Sequence, residues 1–214
     1  MSFNFAPKIV TDELVLCLDS ANIKSYPGYD TIWTDLSKNN TTSTLVNGPT
    51  FTTSYGGELV FDGSNDHVIT GYSSNPQYFT FECVFMPTNI GGTTVIVGKN
   101  SGVGDDYWMG INGNLVFSTN GAVLNSNIAP IQGIYQTVTC VISSTAKQIY
   151  VNGVLANSTS TTSVNPNGAV TLATFGTALG YFATCKIAAF KIYERALSSL
   201  EILQNYNALK SRFI

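Results

Sequence analysis

The feature that most constrains this chain is a two-residue rhythm punctuated by Asn-Gly pairs. Phe79, Phe81, Cys83 and Phe85 alternate with Thr80, Glu82 and Val84. On a strand that spacing puts a greasy row toward a core and a second row on the other face. Strand-forming residues flank Asn112-Gly113 and Asn152-Gly153. Asn-Gly favours a two-residue hairpin, because both central residues take positive φ. Asn47-Gly48 and Asn120-Gly121 mark further turns, and Tyr135 to Ile142 and Cys185 to Tyr193 read as longer strands. Short strands broken by Gly, Asn, Asp, Ser and Pro predict an all-β sandwich or barrel, and the inward-outward alternation favours a sandwich of two antiparallel sheets.

One helix stands out. Ser198-Ser199-Leu200-Glu201 is a capping box, with Leu197 and Ile202 placed as its hydrophobic staple. Ile202, Leu203, Tyr206 and Leu209 form its apolar stripe. The helix is expected to close the end of the sandwich. The run Asn157 to Asn167 predicts an exposed loop. No linker or repeat appears, so one domain is expected over 14–210, with an arm at 1–13 and a short tip at 211–214.

The 214 residues suffice for a sizeable core. Only 11% are charged, less than half the usual ~25%, and Thr, Ser, Asn and Gly take their place. The net charge is −3 with no cluster of Lys or Arg, which argues against a nucleic-acid partner. No apolar run is long enough for a membrane-spanning helix. The opening residues lack a basic n-region, and Asp12, Glu13 and Asp19 interrupt the apolar run that follows. No secretory signal peptide is expected. Cys17, Cys83, Cys140 and Cys185 lie in apolar runs without CxxC spacing. They are expected to be buried free thiols of a reducing compartment, with disulfide pairing left open.

The stretch LVFDGSNDHV, Leu59 to Val68, holds the single histidine of the chain. A catalytic His67 would need a carboxylate or Ser partner brought from elsewhere, and no G-x-S-x-G elbow occurs. Asp62, Asn65 and Asp66 offer oxygen ligands for Ca²⁺, with Asp105 and Asp106 in another loop. The EF-hand spacing is absent. The plainer reading is a solvated turn, in which Asp and Asn side chains bond their own backbone. Both readings stand at this point, and His67 reads as a surface residue beside that turn.

Four pieces carry a family likeness in order along the chain: LVFDGSNDHV (Leu59–Val68), FTFECVFMP (Phe79–Pro87), IYVNGVL (Ile149–Leu155) and KIAAFKIYERALSSLEILQNY (Lys186–Tyr206). Together they resemble the concanavalin A-like lectin/glucanase superfamily, in particular its laminin-G-like jelly-roll domains. Val84 stands where the family often has Trp, and Cys185 where Gly is common. The resemblance implies a jelly-roll sandwich and either glycan binding or glucan hydrolysis. Hydrolysis needs two carboxylates across the scissile bond, and the glucanase E-x-D-x-x-E spacing is absent. Glu82 reads as a polar contact on a sheet face, so no enzyme activity is expected. For glycan binding the candidates are Tyr72, Tyr107, Trp108 and Tyr181 with Asp105 and Asp106, since sugars stack on aromatic faces and polar groups fix their hydroxyls. Alternation lets only one of Tyr107 and Trp108 face solvent.

The opening KIVTDELVLCLDSANIKSYPGYDTIWTDLSKNN and the following LVNGPTF are similar to segments of tailed-phage virion proteins. That likeness implies a capsid-decoration or fibre protein, made in the host bacterial cytoplasm and displayed on the virion surface. Its partners would be other virion proteins, host glycans or further copies of itself. Phe3, Phe5 and Phe213 near the chain ends are the partner-docking candidates. A stand-alone carbohydrate-binding module is the alternative.

Overall fold

The computed structural model describes residues 7–100, 106–160, 168–175 and 180–214. In chain order the strands are β1 (Leu14–Asp19), β2 (Ile32–Thr34), β3 (Thr42–Val46), β4 (Thr50–Thr52), β5 (Glu58–Asp62), β6 (His67–Ile69), β7 (Phe79–Pro87) and β8 (Thr93–Asn100). They continue as β9 (Asp106–Asn112), β10 (Asn114–Thr119), β11 (Ala122–Asn125), β12 (Gln136–Ile142), β13 (Ala146–Val151), β14 (Val154–Ser160), β15 (Thr171–Leu172) and β16 (Thr184–Tyr193). The helix α1 (Ser199–Leu209) follows, and a 3-10 turn covers Lys210–Arg212.

Every pairing is antiparallel, and the strands form two sheets. The first runs β14-β13-β12-β7-β16-β5-β4. β1 joins β16 opposite residues 189–193, on the edge whose other half, residues 184–187, holds β5. The second runs β11-β10-β9-β8-β15-β6-β3-β2. This is the expected two-sheet antiparallel sandwich with a short C-terminal helix.

The alternation in β7 sorts the layers. Phe79, Phe81, Cys83 and Phe85 enter the core between the sheets with Leu16, Leu18, Met109, Phe117, Val138, Cys140 and Phe190. Thr80, Glu82 and Val84 face the other way and are buried too, because α1 lies over that outer face. Ile202 of α1 packs with Val10, Leu14, Cys17, Val141, Tyr150, Tyr193 and Leu197. The helix therefore covers the outside of the first sheet instead of closing an end. Its capping box is present, with Ser198 Oγ accepting from Glu201 N–H and the Glu201 carboxylate accepting from Ser198 N–H.

The stripe differs from expectation at one step, since Leu203 is exposed and Asn205 is buried. Asn205 Oδ1 accepts from Val10 N–H at 2.8 Å, and its amide donates to Tyr193 Oη. Residues 8–10 of the expected arm thus lie along the helix, with Gln204 donating to Lys8 O. Phe3 and Phe5 lie outside the described residues.

Glu82 is not at the surface. It is 1% exposed and pairs with Lys191 Nζ at 2.5 Å, with Thr139 Oγ1 donating to its other oxygen. A second pair, Glu58–Lys186, sits on the same face, and Tyr135 Oη donates to Glu58. The four cysteines are free and buried. Burial raises the thiols, Cys17 to about 11. β14 carries strand through Ser160, where a loop was expected from Asn157; residues 161–167 lie outside the described residues.

Two tests follow from this layering. Glu82→Gln should lower unfolding free energy in urea by about 3–5 kcal/mol, because it strands the buried Lys191 charge, whereas joint replacement of Glu82 and Lys191 by Leu and Met should lose far less. Glu201 is drawn from its ordinary 4.5 to about 2, first by its hydrogen bonds with Arg195. Its folded value lies below its unfolded value, so its stabilisation is complete above pH 4.5 and is lost as pH falls toward 2. Glu201→Gln should flatten the melting-temperature curve in that window.

Candidate functional site

The turn between β5 and β6 is built by its own side chains. Asp62 Oδ1 accepts from the N–H groups of Ser64 and Asn65, and Asp66 Oδ2 accepts from Asp62 N–H. Those backbone bonds, Ser64's above all, hold the Asp62 carboxyl below its ordinary range, while burial raises Asp66. Asn65 supplies a backbone carbonyl to Asn47 Nδ2 and to His67 Nδ1. His67 is buried against Phe182, with ring centroids 5.9 Å apart, and so is not the surface residue expected. Gly63 takes φ +78 beside Thr184, where a Cβ would lie 2.1 Å from the hydroxyl. Among the described residues no three His, Cys, Asp or Glu side chains gather to hold a metal ion.

The glycan candidates divide between core and surface. Tyr107 is 4% exposed and packs on Phe79 and Phe81 at 4.8 and 5.6 Å. Tyr72 is also buried, and its hydroxyl donates to Glu194. Above its ring sits the buried Lys99 ammonium, which donates to Ser73 O, Ser74 O and Asn75 Oδ1. Burial pulls that lysine down to about 8. Neither tyrosine can offer a face to a ligand; both belong to the core. Asp106 sits at the hairpin neck, where its N–H donates to Asn120 Oδ1. Asp105 lies outside the described residues. Phe213 packs on Tyr135 of its own chain, with ring centroids 4.3 Å apart and the rings tilted by 36°.

Trp108 and Tyr181 do meet. Tyr107 points inward, so Trp108, its neighbour in β9, points outward from the second sheet, the face that α1 does not cover. With Thr93, Val95, Phe175 and Tyr181 it lines a cleft of about 190 Å³. The Trp108 and Phe175 rings are 6.3 Å apart at 62°, and Tyr181 is half exposed. Sequence reasoning missed Phe175, Val95 and Thr93.

The loop carrying Phe175 and Tyr181 is fastened to the sheet by backbone. Ala173 N–H donates to Ile96 O, Val95 N–H to Tyr181 O, and Thr171 Oγ1 to Gly98 O. Ala173 and Tyr181 hold φ of +62 and +59, conformations that side-chain-bearing residues keep only when their surroundings fix them. Gly98 makes the close approach feasible: a Cβ there would lie 2.8 Å from Thr174 O and 3.0 Å from Phe175 Cα. An aromatic floor and wall with no charged side chain among the described lining residues can stack the apolar face of a neutral ring.

Residues 62–203 match the family model of the concanavalin A-like lectin/glucanases superfamily, laminin-G type. The chain belongs to this superfamily. No curated protein is similar enough in sequence to be matched.

Solved structures carry the same lectin-like sandwich at low identity. Domain 4 of the extracellular arabinanase AbnA from Geobacillus stearothermophilus, solved with arabinotriose, superposes with TM-score 0.73 and 16% identity, covering 92% of this chain and 100% of that one. The binding domain of Paraclostridial Mosquitocidal Protein 1 gives TM-score 0.70 and 18% identity, covering 92% of this chain. The present lectin-like chain spans 52% of that domain, about half its length. Trypanosoma rangeli sialidase, solved with sialic acid, gives TM-score 0.73 at 13% identity over 98% of this chain and 36% of its own. These likenesses are of fold.

Gly98→Ala should displace the Phe175 loop and destabilise this lectin-like domain by roughly 1–3 kcal/mol. Urea unfolding reads the loss. Trp33, the other tryptophan, is buried, so a red shift of tryptophan emission would report Trp108 losing its Phe175 contact.

Proposed function

We propose that the protein is a non-enzymatic glycan-binding module that stacks a neutral sugar on the Trp108, Phe175 and Tyr181 cleft. The observation that carries this reading is the cleft itself: three aromatic side chains, fixed by backbone bonds, on the sheet face left bare by α1. Superfamily membership and the arabinotriose-bound neighbour are consistent with it. Against catalysis, the strand carboxylate Glu82 is buried and neutralised by Lys191, so it is closed to substrate.

The setting we propose is the surface of a tailed-phage particle, as a capsid-decoration or fibre component that touches host glycans. The likeness of residues 8–40 to virion segments supports this. A free-standing carbohydrate-binding module would use the same cleft and differ only in where it is found.

A glycan array should return neutral oligosaccharides, and Trp108→Ala should weaken the best of them about tenfold or more by titration calorimetry, the loss of one stacking face. Unchanged affinity in Trp108→Ala would remove the cleft from the reading. Mass spectrometry of purified particles should find the chain in stoichiometric ratio to the capsid protein; its absence there favours the free-standing module.

A further inference from the structure

The outer face of the first sheet carries a second cleft, unrelated to the one above. It has a volume of about 240 Å³ between the end of α1 and strands β7 and β12. That is below the roughly 300 Å³ where drug-sized sites begin, and it suits one small ring. Its walls are aromatic. Tyr206 comes from the last turn of α1, and Phe213 packs at a tilt on Tyr135 with the Arg212 guanidinium over its ring.

The walls are anchored. Gly153, at φ +79, lets the helix close down: a Cβ there would lie 3.1 Å from Tyr206 Cβ and Cδ1. Tyr135 Oη is bound to Glu58, and Arg212 ties the chain beside Phe213 to Tyr55 O, Gly57 O and Asp19.

Polar groups converge on the same space. The Asn152 Oδ1 and backbone N–H are both used by Thr137, at 2.9 and 2.8 Å. That orientation leaves the Asn152 NH₂ and the Thr137 hydroxyl, both at the cleft, with no hydrogen-bond partner among the described residues. Lys210 stands at the rim with its ammonium 5.7 Å from the Tyr206 ring and no ion-pair partner among the described residues. The neighbouring cations Lys186 and Arg212 are neutralised by Glu58 and Asp19.

The geometry points to this cleft as a binding site for an acidic monosaccharide unit, with its apolar ring face against Tyr206, hydroxyls on Asn152 and Thr137, and a carboxylate on Lys210. Apolar walls alone would accept any flat apolar group. The NH₂ and hydroxyl select a polyol, and the Lys210 ammonium, with no ion-pair partner among the described residues, selects an anion. The site is independent of the neutral-sugar cleft, which lies on the opposite sheet.

The probes are D-glucuronate and its neutral twin D-glucose, titrated into the full chain by ligand-observed and protein-observed NMR. Glucuronate should bind about tenfold more tightly than glucose, as expected for one charge-assisted contact. Lys210→Met should erase that difference. Lys210 is exposed, so the variant should fold. Asn152→Asp keeps the acceptor for Thr137 N–H and tolerates the positive φ, but replaces the NH₂ donor with a carboxylate; it should abolish glucuronate binding. Trp108→Ala should leave glucuronate binding intact. Equal affinity for the two sugars, no effect of Lys210→Met, or no binding of glucuronate would overturn the proposal. Loss of glucuronate in Trp108→Ala would move the acidic sugar to the other cleft, which overturns this site while leaving the stacking reading in place.

Discussion

The phenylalanine row of β7 is the interaction on which the rest depends. Phe79, Phe81 and Phe85 enter the space between the sheets and meet Tyr107, Phe117 and Phe190 there. A strand has only two faces, so once those rings are inside, Thr80, Glu82 and Val84 must lie outside. That outer row holds a carboxylate in the middle of a sheet. Lys191, directly opposite in β16, neutralises it. A dehydrated pair of this kind needs cover from water, and α1 with residues 8–10 supplies it. The helix is therefore committed to the first sheet, and no helix among the described residues lies over the outer face of the second sheet around Trp108. The position of the candidate cleft follows from a row of side chains on the opposite layer.

Much of this was readable from residue order. The β7 alternation, the capping box and the buried free cysteines need only local rules, and the structure agrees with each. The Asn-Gly turns agree in place. At Asn47, Asn120 and Asn152 both members take positive φ, whereas at Asn112-Gly113 only the glycine does, because Asn112 still pairs with Asn114 across it. The ambiguity in the strands has one cause. A period of two says that neighbours face opposite ways but does not say which way is in. Tyr107 and Trp108 satisfy alternation with either one outward. Inverse assignment was excluded only by the long-range contact of Tyr107 with Phe79 and Phe81. Tyr72 was misplaced for another reason: it is a loop residue that joins the core and reaches Glu194, far along the chain.

The cleft was half legible. Trp108 and Tyr181 could be nominated as aromatics, but Phe175 reaches them only because β15, two residues long, inserts between β8 and β6. No local signal marks so short a strand. The nearest cue is Gly98, an interruption of β8 at the point where another backbone passes close by. The helix stripe failed at Leu203 and Asn205 because a buried Asn carries no hydrophobic signature. Its place is set by two polar partners, Val10 N–H and Tyr193 Oη, that flank the helix from distant parts of the chain.

Charge use limits what this surface offers a ligand at long range. Of the 10 Lys and Arg residues, Lys99, Lys147, Lys186, Lys191, Arg195 and Arg212 are tied to oxygens within the fold. Lys8, Lys24, Lys38 and Lys210 remain exposed. A surface with so few free cations creates little long-range field, so a ligand is not steered to it by charge. In the two proposed clefts selectivity would come from contact, where a flat apolar face meets an aromatic ring and hydroxyls meet Thr and Asn. In such a setting one uncompensated ammonium beside an aromatic wall stands out against a nearly neutral background. Lys210 has that position at the edge of the second cleft, so under the proposed acidic-sugar reading a carboxylate is the group that would tell two sugars of otherwise equal shape apart.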